Sequence, residues 1–202
     1  GGSVHWWVFE PSRAHKQIAE AVGLTPGRRL LQMRRPLPLE PEIVAEISDF
    51  LTEPFEPGRD EQPWLDLNNA AFSQHPEQGG WTMDTLRSRM QQEWFDASGF
   101  RIHRHNDVMD SFCWTKMHHE NNIVIGEIYV IAVQPDSAGQ GIGRKIAIAG
   151  LDSAFQKGAD HAMLYVDADN ASAVAMYRSL GFSVHHEEHS FVGKIAPNEV
   201  TS

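Results

Sequence analysis

The chain has 202 residues, 41% of them hydrophobic, and a formal net charge of −10, values that fit a globular protein with one core and at most part of a second domain. The acidic balance argues against nucleic acid as a partner. The one cysteine, Cys113, excludes an internal disulfide and fits a reducing compartment. The sequence shows no apolar run of membrane-spanning length and no signal peptide, so we expect a cytoplasmic protein without a membrane partner.

The first 35 residues predict a strand, a helix and a second strand. Residues 5–9 are mostly aromatic and β-branched, as strands favour. Ser12 is a typical N-cap for a helix over residues 13–22, and Gly23 would end that helix. Residues 28–35 predict the second strand.

A proline-rich linker over residues 36–42 leads into a longer series of elements. From residue 43 onward the predicted order is β, α, α, β, β, β, α, β, α, β, β. The first members are a strand over residues 43–54 around Phe50, helices over 60–72 and 82–94, a loop over 75–80, and a hairpin of 100–105 with 108–117 that turns at Asn106 and Asp107.

A glycine-rich turn joins a predicted strand over residues 126–133 to a predicted helix over residues 145–155. Gly139, Gly141 and Gly143 fall on alternate positions, where the lack of a Cβ lets the backbone approach an anion. Strand, glycine turn and helix N-terminus together direct N–H groups at a phosphate. The dinucleotide fingerprint fails because position 146 is Ile, and the Gly-Lys-Ser/Thr of a P-loop does not occur.

The last predicted unit is a strand over residues 163–169 and a helix over residues 171–180. Asn170 is a good N-cap for this helix, Gly181 occupies the position where glycine ends helices, and Phe182 begins a new strand.

These two segments resemble the GNAT acetyltransferases. The first is similar to the family's acetyl-CoA loop, except that Ala138 stands where the family has Gln or Arg. The resemblance implies an α/β GNAT fold, with a mixed central sheet and helices on both faces. The matching positions are Val133, Pro135, Gly141 and Gly143 in the first segment, and Asn170, Ala173, Tyr177, Gly181 and Phe182 in the second.

A narrower resemblance, to the mycothiol synthase family, covers residues 1 to about 196. It rests on residues 68–72, 75–81, 114–116 and 126–130, of which the loop HPEQGGW at 75–81 is the most specific. Members of that family are tandem-GNAT enzymes that acetylate the cysteinyl amine of cysteinyl-glucosaminyl-inositol with acetyl-CoA. The resemblance therefore implies an N-acetyltransferase with a small thiol-sugar substrate.

The same resemblance implies a partial GNAT repeat ahead of the catalytic domain. Shifting residues 1–35 by 158 positions aligns them with the second GNAT segment, with Ala19 falling opposite Tyr177. We therefore expect residues 1–35 to be the end of a first GNAT domain, 36–42 a linker and 43–196 the catalytic domain. The apolar side chains of Trp6, Trp7, Phe9 and Ile18 would then need cover from the second domain or from a missing N-terminal part of the same protein.

Amine acetylation needs a base and a proton donor. Glu127 precedes the apolar end of its strand, where a carboxylate partly withdrawn from water suits a general base, and the resemblance implies the same role. Tyr177 on the following helix would protonate the departing thiolate. By resemblance, Glu77, Lys116 and Tyr165 line the substrate pocket. Acetyl-CoA would contact Ile131, Ala132 and Val133, then Ala138, Gly139, Gln140, Gly141, Ile142, Gly143 and Arg144, and finally Asn170, Ala171, Ser172, Ala173, Val174 and Ala175.

Three other interpretations compete with this one. The chain could be a different GNAT enzyme that acetylates a protein N-terminus or a small amine, or a non-catalytic acyl-CoA-binding module. The eleven histidines also raise a metal hypothesis, but no structural-zinc spacing of Cys and His occurs, so we expect no metal. Retention of both Glu127 and Tyr177 favours an enzyme, whereas Ala138 leaves a binding module open.

Overall fold

The computed structural model describes residues 2–75, 78–137 and 139–195. The elements within them are α1 (Arg13–Ala21), α2 (Pro41–Ala45), α3 (Glu61–Ala71), α4 (Met83–Met90), α5 (Ile142–Gln156), α6 (Ala171–Ser179), β1 (Gly2–Phe9), β2 (Thr25–Pro36), β3 (Glu53–Pro54), β4 (Phe100–His105), β5 (Val108–Glu120), β6 (Ile123–Val133), β7 (His161–Asp167) and β8 (Ser183–Ile195).

The chain forms two compact units, and the boundaries follow Arg34 and Met163. The central unit is Arg35–Met163. The terminal unit combines the described residues of Gly1–Arg34 and of Leu164–Ser202. This grouping places the first strand-helix-strand segment with the last one, and the expected division into a first-domain remnant, a linker and a catalytic domain stays a prediction.

In the terminal unit, β8 lies between β1 and β2 and is antiparallel to both, and β7 is the other neighbour of β2. The helix α1 begins at Ser12, whose Oγ accepts from the N–H of His15 while the His15 ring accepts from the N–H of Ser12. This cap satisfies two N–H groups that have no partner within the helix. The buried Ala19 of α1 packs on Val8 and Phe191.

Of the apolar side chains that we expected to need cover, the structure packs one and leaves two others exposed to solvent. Trp6 packs against Phe191 with ring centroids 5.5 Å apart. Phe9 is 58% exposed and Ile18 is 52% exposed. The terminal unit therefore carries solvent-facing apolar side chains on both β1 and α1.

The central unit has helices on both faces of an antiparallel sheet in the order β6, β5, β4, β3. On one face, α5 lies so close to β5 that a Cβ added to Gly150 would come within 2.3 Å of Cys113 Sγ. On the other, the fully buried Trp64 of α3 meets Trp114 edge-to-face, with centroids 5.7 Å apart. Successive residues of β5 thus face opposite helix layers, as the period of a strand requires.

Both hairpins of this sheet turn on two residues with positive φ. The predicted turn at Asn106 and Asp107 is confirmed, with φ of 50° and 64°. The second turn, between β5 and β6, uses Asn121 and Asn122 with φ of 48° and 66°. Asn and Asp tolerate this region, which suits the twist of two-residue hairpins.

The predicted strand over residues 43–54 is wrong. Pro41 is the first residue of the helix α2, and only Glu53–Pro54 pairs with β4. The apolar positions 43, 44, 47 and 50 repeat at helical rather than strand spacing, so the period was misread.

Two further differences concern the ends of elements. The helix predicted to reach Trp94 stops at Met90, and a single long strand, β8, replaces the two expected after Phe182.

Among the described helices, none combines the length and the apolar character needed to cross a membrane.

Asp60 is the buried member of an ionic cluster at the start of α3, and its loss should destabilise the protein. The Asp60 side chain is fully buried and accepts from Arg59, Arg104 and the Glu56 N–H at 2.6–3.0 Å. Burial alone would raise the pKa of Asp60, but these donors hold it below its ordinary value. We expect Asp60→Asn to lower the free energy of unfolding by about 3 kcal/mol at pH 7.

The sign of the pH dependence follows from the lowered pKa of Asp60. Its stabilising effect is complete above the ordinary aspartate pKa of about 4 and is lost as the pH falls through the lower folded-state value. Urea unfolding at pH 7 and at lower pH should show the wild type and Asp60→Asn converging in acid. Asp66→Asn, an exposed change on the same helix, should have little effect, and a constant gap between wild type and Asp60→Asn at all pH values would contradict the assignment.

Candidate active site

Glu127 pairs with an imidazole on the neighbouring strand. It lies on β6 directly opposite Lys116 of β5. Its side chain is 13% exposed, and Oε2 lies 2.6 Å from Nε2 of His118, which is 24% exposed. A largely buried carboxylate joined to a partly exposed imidazole can receive a proton and pass it outward. Glu127, the expected base, therefore has a partner that the sequence interpretation did not assign.

A bulge next to Glu127 brings a phenol to the same face of the sheet. Trp114 pairs with Val130 and Thr115 with Ile128, so Tyr129 is the extra residue of β6. The Tyr129 ring lies 5.4 Å from that of Trp114 and 5.0 Å from that of Trp94. Lys116 Nζ lies 4.8 Å from the centre of the Trp94 ring, within cation–π range.

These residues form what we call the aromatic wall, made of Trp94, Trp114 and Tyr129, beside Glu127 and Lys116. Burial raises the pKa of the Tyr129 phenol, and the Glu127 charge acts in the same direction against the opposing charge of Arg89. Tyr129 is therefore protonated at neutral pH and suited to donate a hydrogen bond. Trp114 is fully buried, so the accessible apolar surface of the wall is that of Trp94 and Tyr129. With Glu127 and Lys116 beside it, this surface has the mixed apolar and charged composition that is usual for a small-molecule site.

Sequence reasoning missed His118 and Tyr129 as site residues. For His118 a signal existed, because Asn121-Asn122 predicts a two-residue turn. Counting back from that turn places Lys116 opposite Glu127 and His118 on the same face. For Tyr129 we find no such signal, since its direction depends on the bulge.

The glycine turn has the geometry of an anion site. Gly139 and Gly141 have φ of +80° and +81°, and a Cβ added to either would meet nothing within 4 Å. Gly141 is the N-cap of α5, a helix of 15 residues. The first N–H groups of a helix have no partner within it and lie at its positive end. The backbone here thus fits the phosphates of a nucleotide donor, and the expected contact at Ala138 lies outside the described residues.

The basic side chains at the start of α5 are paired with acidic ones. Arg144 makes a two-pronged contact with Glu46, at 2.7 Å from Nε and 2.8 Å from Nη2, and holds the pKa of Glu46 below its ordinary value. Lys145 Nζ lies 3.2 Å from Asp49. Any phosphate at this turn therefore relies mainly on the backbone.

The strand that leads to the turn is regular after its bulge. Ile131, Ala132 and Val133 pair in register with Cys113, Phe112 and Ser111 of β5. Ala132 is buried, whereas Ile131 and Val133 are partly exposed. Gln140, Ile142 and Gly143 continue from this strand into the glycine turn and α5.

The remaining predicted residues that the structure describes lie in the terminal unit. Asn170 caps α6, its Oδ1 accepting from the Ala173 N–H at 3.1 Å, and Ala171, Ser172, Val174 and Ala175 follow on that helix. Tyr177 is 5% exposed and its ring lies 5.7 Å from that of Phe182. Tyr165 on β7 is 41% exposed. Glu77, the other predicted substrate contact, lies outside the described residues.

No group of three or more His, Cys, Asp or Glu side chains in the described part of the chain is placed to hold a metal ion.

Cys113 is unsuited to act as an acyl carrier, and this can be tested. The thiol is fully buried, and burial raises its pKa to about 12. Because the thiolate is the reactive form, we expect no reaction of the native protein with a thiol reagent over minutes at pH 8. One thiol per chain should react in denaturant. Rapid labelling of the native protein would contradict this environment.

A comparison with models of protein families identifies the family of this chain. The model for the acetyltransferase (GNAT) family matches residues 44–182, more than half of the chain. The chain belongs to the GNAT acetyltransferase family. The predicted GNAT fold is thereby confirmed, whereas the partial repeat ahead of it stays a prediction.

Individual relatives of similar sequence share one enzyme name. The chain is 43% identical over 188 residues to mycothiol acetyltransferase of Thermobispora bispora and 42% identical over 193 residues to that of Kocuria rhizophila. These alignments cover 91% and 92% of this chain but 63% and 64% of the relatives, so the chain spans about three fifths of their length. A solved GCN5-related N-acetyltransferase from Sphaerobacter thermophilus shares the fold, with a TM-score of 0.74 at 20% identity over 96% of this chain and 60% of that one.

Proposed function

We propose that the chain transfers an acetyl group from acetyl-CoA to the cysteinyl amine of cysteinyl-glucosaminyl-inositol. The observation that carries this proposal is the Glu127–His118 pair beside Lys116 and the aromatic wall. The name shared by the relatives that are about 40% identical supports the choice of acceptor.

On the donor side, acetyl-CoA supplies an activated thioester. The glycine turn and the N-terminus of α5 would hold its phosphates through backbone N–H groups. The strand from Ile131 to Val133 would contact the pantetheine and acetyl parts, and one N–H there would stabilise the oxyanion. The cap at Asn170 and the first turn of α6 would complete the donor contacts.

On the acceptor side, Glu127 removes the proton that keeps the amine from reacting. The amine nitrogen attacks the thioester carbonyl, the C–S bond breaks, and Tyr177 gives a proton to the departing thiolate. The second proton that the nitrogen loses on becoming an amide restores the Tyr177 phenol, so the products are the amide, the free thiol of CoA and the one proton taken by Glu127. His118 receives the proton from Glu127 or holds the carboxylate in place. Lys116 and Tyr165 would bind hydroxyl groups of the acceptor, together with Glu77.

The domain assignment forms part of the proposal. Residues 43–196 would be the catalytic GNAT domain, and residues 1–35 the end of a first one. Residues 1–35 contain no glycine turn, and they have Ala19 where the repeat would place the counterpart of Tyr177. We therefore assign them no acetyl-CoA site. We also propose a cytoplasmic location and no nucleic-acid partner.

A mass-spectrometric acetylation assay tests the function directly. Cysteinyl-glucosaminyl-inositol, cysteinamide and a panel of peptides would each be offered with acetyl-CoA. We expect the first to be acetylated on its amine at least tenfold faster than any peptide. Preferred acetylation of a peptide N-terminus would show a protein acetyltransferase instead, and acetyl-CoA binding without acetylation of any acceptor would show a non-catalytic module.

Tyr177→Phe separates proton donation from binding. The variant keeps the buried ring and its contact with Phe182, so acetyl-CoA affinity should stay within about twofold of wild type. Turnover should fall by roughly 10²-fold, the usual effect of losing a general acid. Calorimetry with CoA and steady-state kinetics give the two values. Wild-type turnover in this variant would remove Tyr177 from the mechanism.

A further inference from the structure

A short acidic segment of the central unit, residues 46–50, lies beside the start of α5. It begins at Glu46, the last residue of the helix α2 to be capped. Its backbone continues in tight turns, in which the N–H groups of residues 46, 47, 48 and 50 donate to the carbonyl three positions back. The turns present the carboxylates of Glu46 and Asp49 to the neighbouring helix.

Both basic side chains at the start of α5 have their partners on the acidic segment. Arg144 donates to the two oxygens of Glu46, from Nε at 2.7 Å and from Nη2 at 2.8 Å. Lys145 Nζ donates to Asp49 Oδ1 at 3.2 Å. Gly141 is the N-cap of α5, so these pairs neutralise two cations close to the turn that we expect to hold phosphates.

Phe50 fixes the end of the acidic segment to the sheet. The residue is buried, and its ring stacks on that of His103 on β4, with centroids 3.9 Å apart and planes at 11°. His103 Nδ1 in turn lies 2.7 Å from Oδ1 of Asp110 on β5. Because α2 holds one end of the segment and this buried ring holds the other, the carboxylates stay beside α5.

The two pairings are of a kind that a phosphate can displace. The side chains of Arg144 and Glu46 are 27% and 39% exposed, and that of Asp49 is 79% exposed. Ion pairs this exposed contribute little to folding stability, and a guanidinium binds phosphate with the same two-pronged geometry as carboxylate. A phosphate at the turn therefore meets cations that are already occupied and carboxylates that repel it.

We propose that the acidic segment is an autoinhibitory contact, which weakens the binding of acetyl-CoA and CoA by competing with their phosphates for Arg144 and Lys145. Glu46 has the larger effect because it holds Arg144 through two hydrogen bonds, whereas Asp49 makes one longer contact. Product CoA is consequently released more easily than from a site with free cations. This inference rests on the donor half of the proposed function and is independent of the acceptor.

Calorimetry with CoA, in the absence of any acceptor, tests the competition. Glu46→Gln removes the charge and keeps the length of the side chain, and we expect it to tighten CoA binding roughly threefold or more, as the loss of one nearby repulsive charge predicts. Asp49→Asn should tighten it less. A Glu46 that only positions Arg144 for the phosphates would give weaker binding on substitution. Unchanged or weaker binding by Glu46→Gln would therefore overturn the proposal.

Glu42→Gln is the matched control for net charge. Glu42 lies in the first turn of α2, and within the described part of the chain no hydrogen bond or ion pair involves its side chain. CoA affinity of this variant should stay within about twofold of wild type, because an exposed charge without a cation partner at the site is largely screened by solvent and salt. A gain equal to that of Glu46→Gln would show a general charge effect and would contradict the competition.

A double variant shows whether Glu46 acts through Arg144. In the background of Arg144→Met there is no guanidinium to release, so Glu46→Gln should lose most of its gain in CoA affinity. An equal gain with and without Arg144 would overturn the competition.

The same measurements separate this inference from the proposed function. Tighter CoA binding by Glu46→Gln without acetylation of any acceptor would leave the inference standing and remove the proposed function. Acetylation of cysteinyl-glucosaminyl-inositol together with CoA affinity that is insensitive to Glu46→Gln would do the reverse. Failure of the wild type to bind CoA at millimolar concentration would overturn both.

Discussion

Replacing Glu127 with glutamine is expected to lower turnover by roughly 10²-fold or more, the effect of removing a general base. Glutamine keeps the length of the side chain and can still reach His118, which now lies 2.6 Å from the carboxylate. It cannot accept the proton of an ammonium group. The loss should be greatest at low pH, where the smallest fraction of the acceptor is already a free amine. A pH–rate profile of both proteins measures this difference.

Glu120→Gln is the control for the change in charge. Glu120 lies at the exposed end of β5, on the same hairpin as Glu127, and its substitution removes the same unit of negative charge. We expect its turnover to be that of wild type, and both variants should bind CoA normally. If Glu127→Gln keeps wild-type turnover across the pH range, Glu127 is not the base.

Gly141→Val should abolish acetyl-CoA binding. The φ of +81° is unfavourable for any L-residue by about 1–2 kcal/mol, and a β-branched side chain is further restricted. In addition, the side chain would project into the open space before α5, where we place the phosphates. Calorimetry with CoA should show one site per chain in wild type and no binding at millimolar ligand in the variant.

Gly158→Val separates backbone strain from loss of the phosphate site. Gly158 follows the other end of α5, with φ of +91° and open space around its Cβ position. Both variants should lose similar thermal stability, while only Gly141→Val should lose CoA. Equal CoA affinity in the two variants would place the phosphates elsewhere.

Features that depend on a few neighbouring residues could be predicted from the sequence. Ser12 and Asn170 cap their helices as expected, and Asn106 with Asp107 forms the expected turn. The positive φ of Gly141 at the start of α5 is also a local feature, because it belongs to a turn that the glycine spacing predicts. Caps and turns are decided by backbone groups within about four positions, so the local pattern contains the necessary information.

Elements with a weak local pattern were harder to predict. The apolar side chains of residues 43–54 repeat at helical spacing, but over a stretch too short for that period to stand out, and α2 begins just before it with Pro41 at its first position. The end of α4 at Met90, before Trp94, is a further case. Packing of Trp94 against Trp114 and Tyr129 involves residues distant in the sequence, and such contacts override local preference.

The sequence by itself determined the family, the glycine turn, and Glu127 and Tyr177 as candidate acid–base residues, because each rests on residue type and short spacing. Only the tertiary structure decided which side chains stand beside them. The bulge that turns Tyr129 to the same face and the position of Gln32 opposite His186 depend on strand register, and the contact of His118 with Glu127 follows once the turn at Asn121 and Asn122 has set that register. Register is set by the pairing of whole strands and by which face is buried, so it joins Gln32 and His186, 154 positions apart, which no local pattern connects.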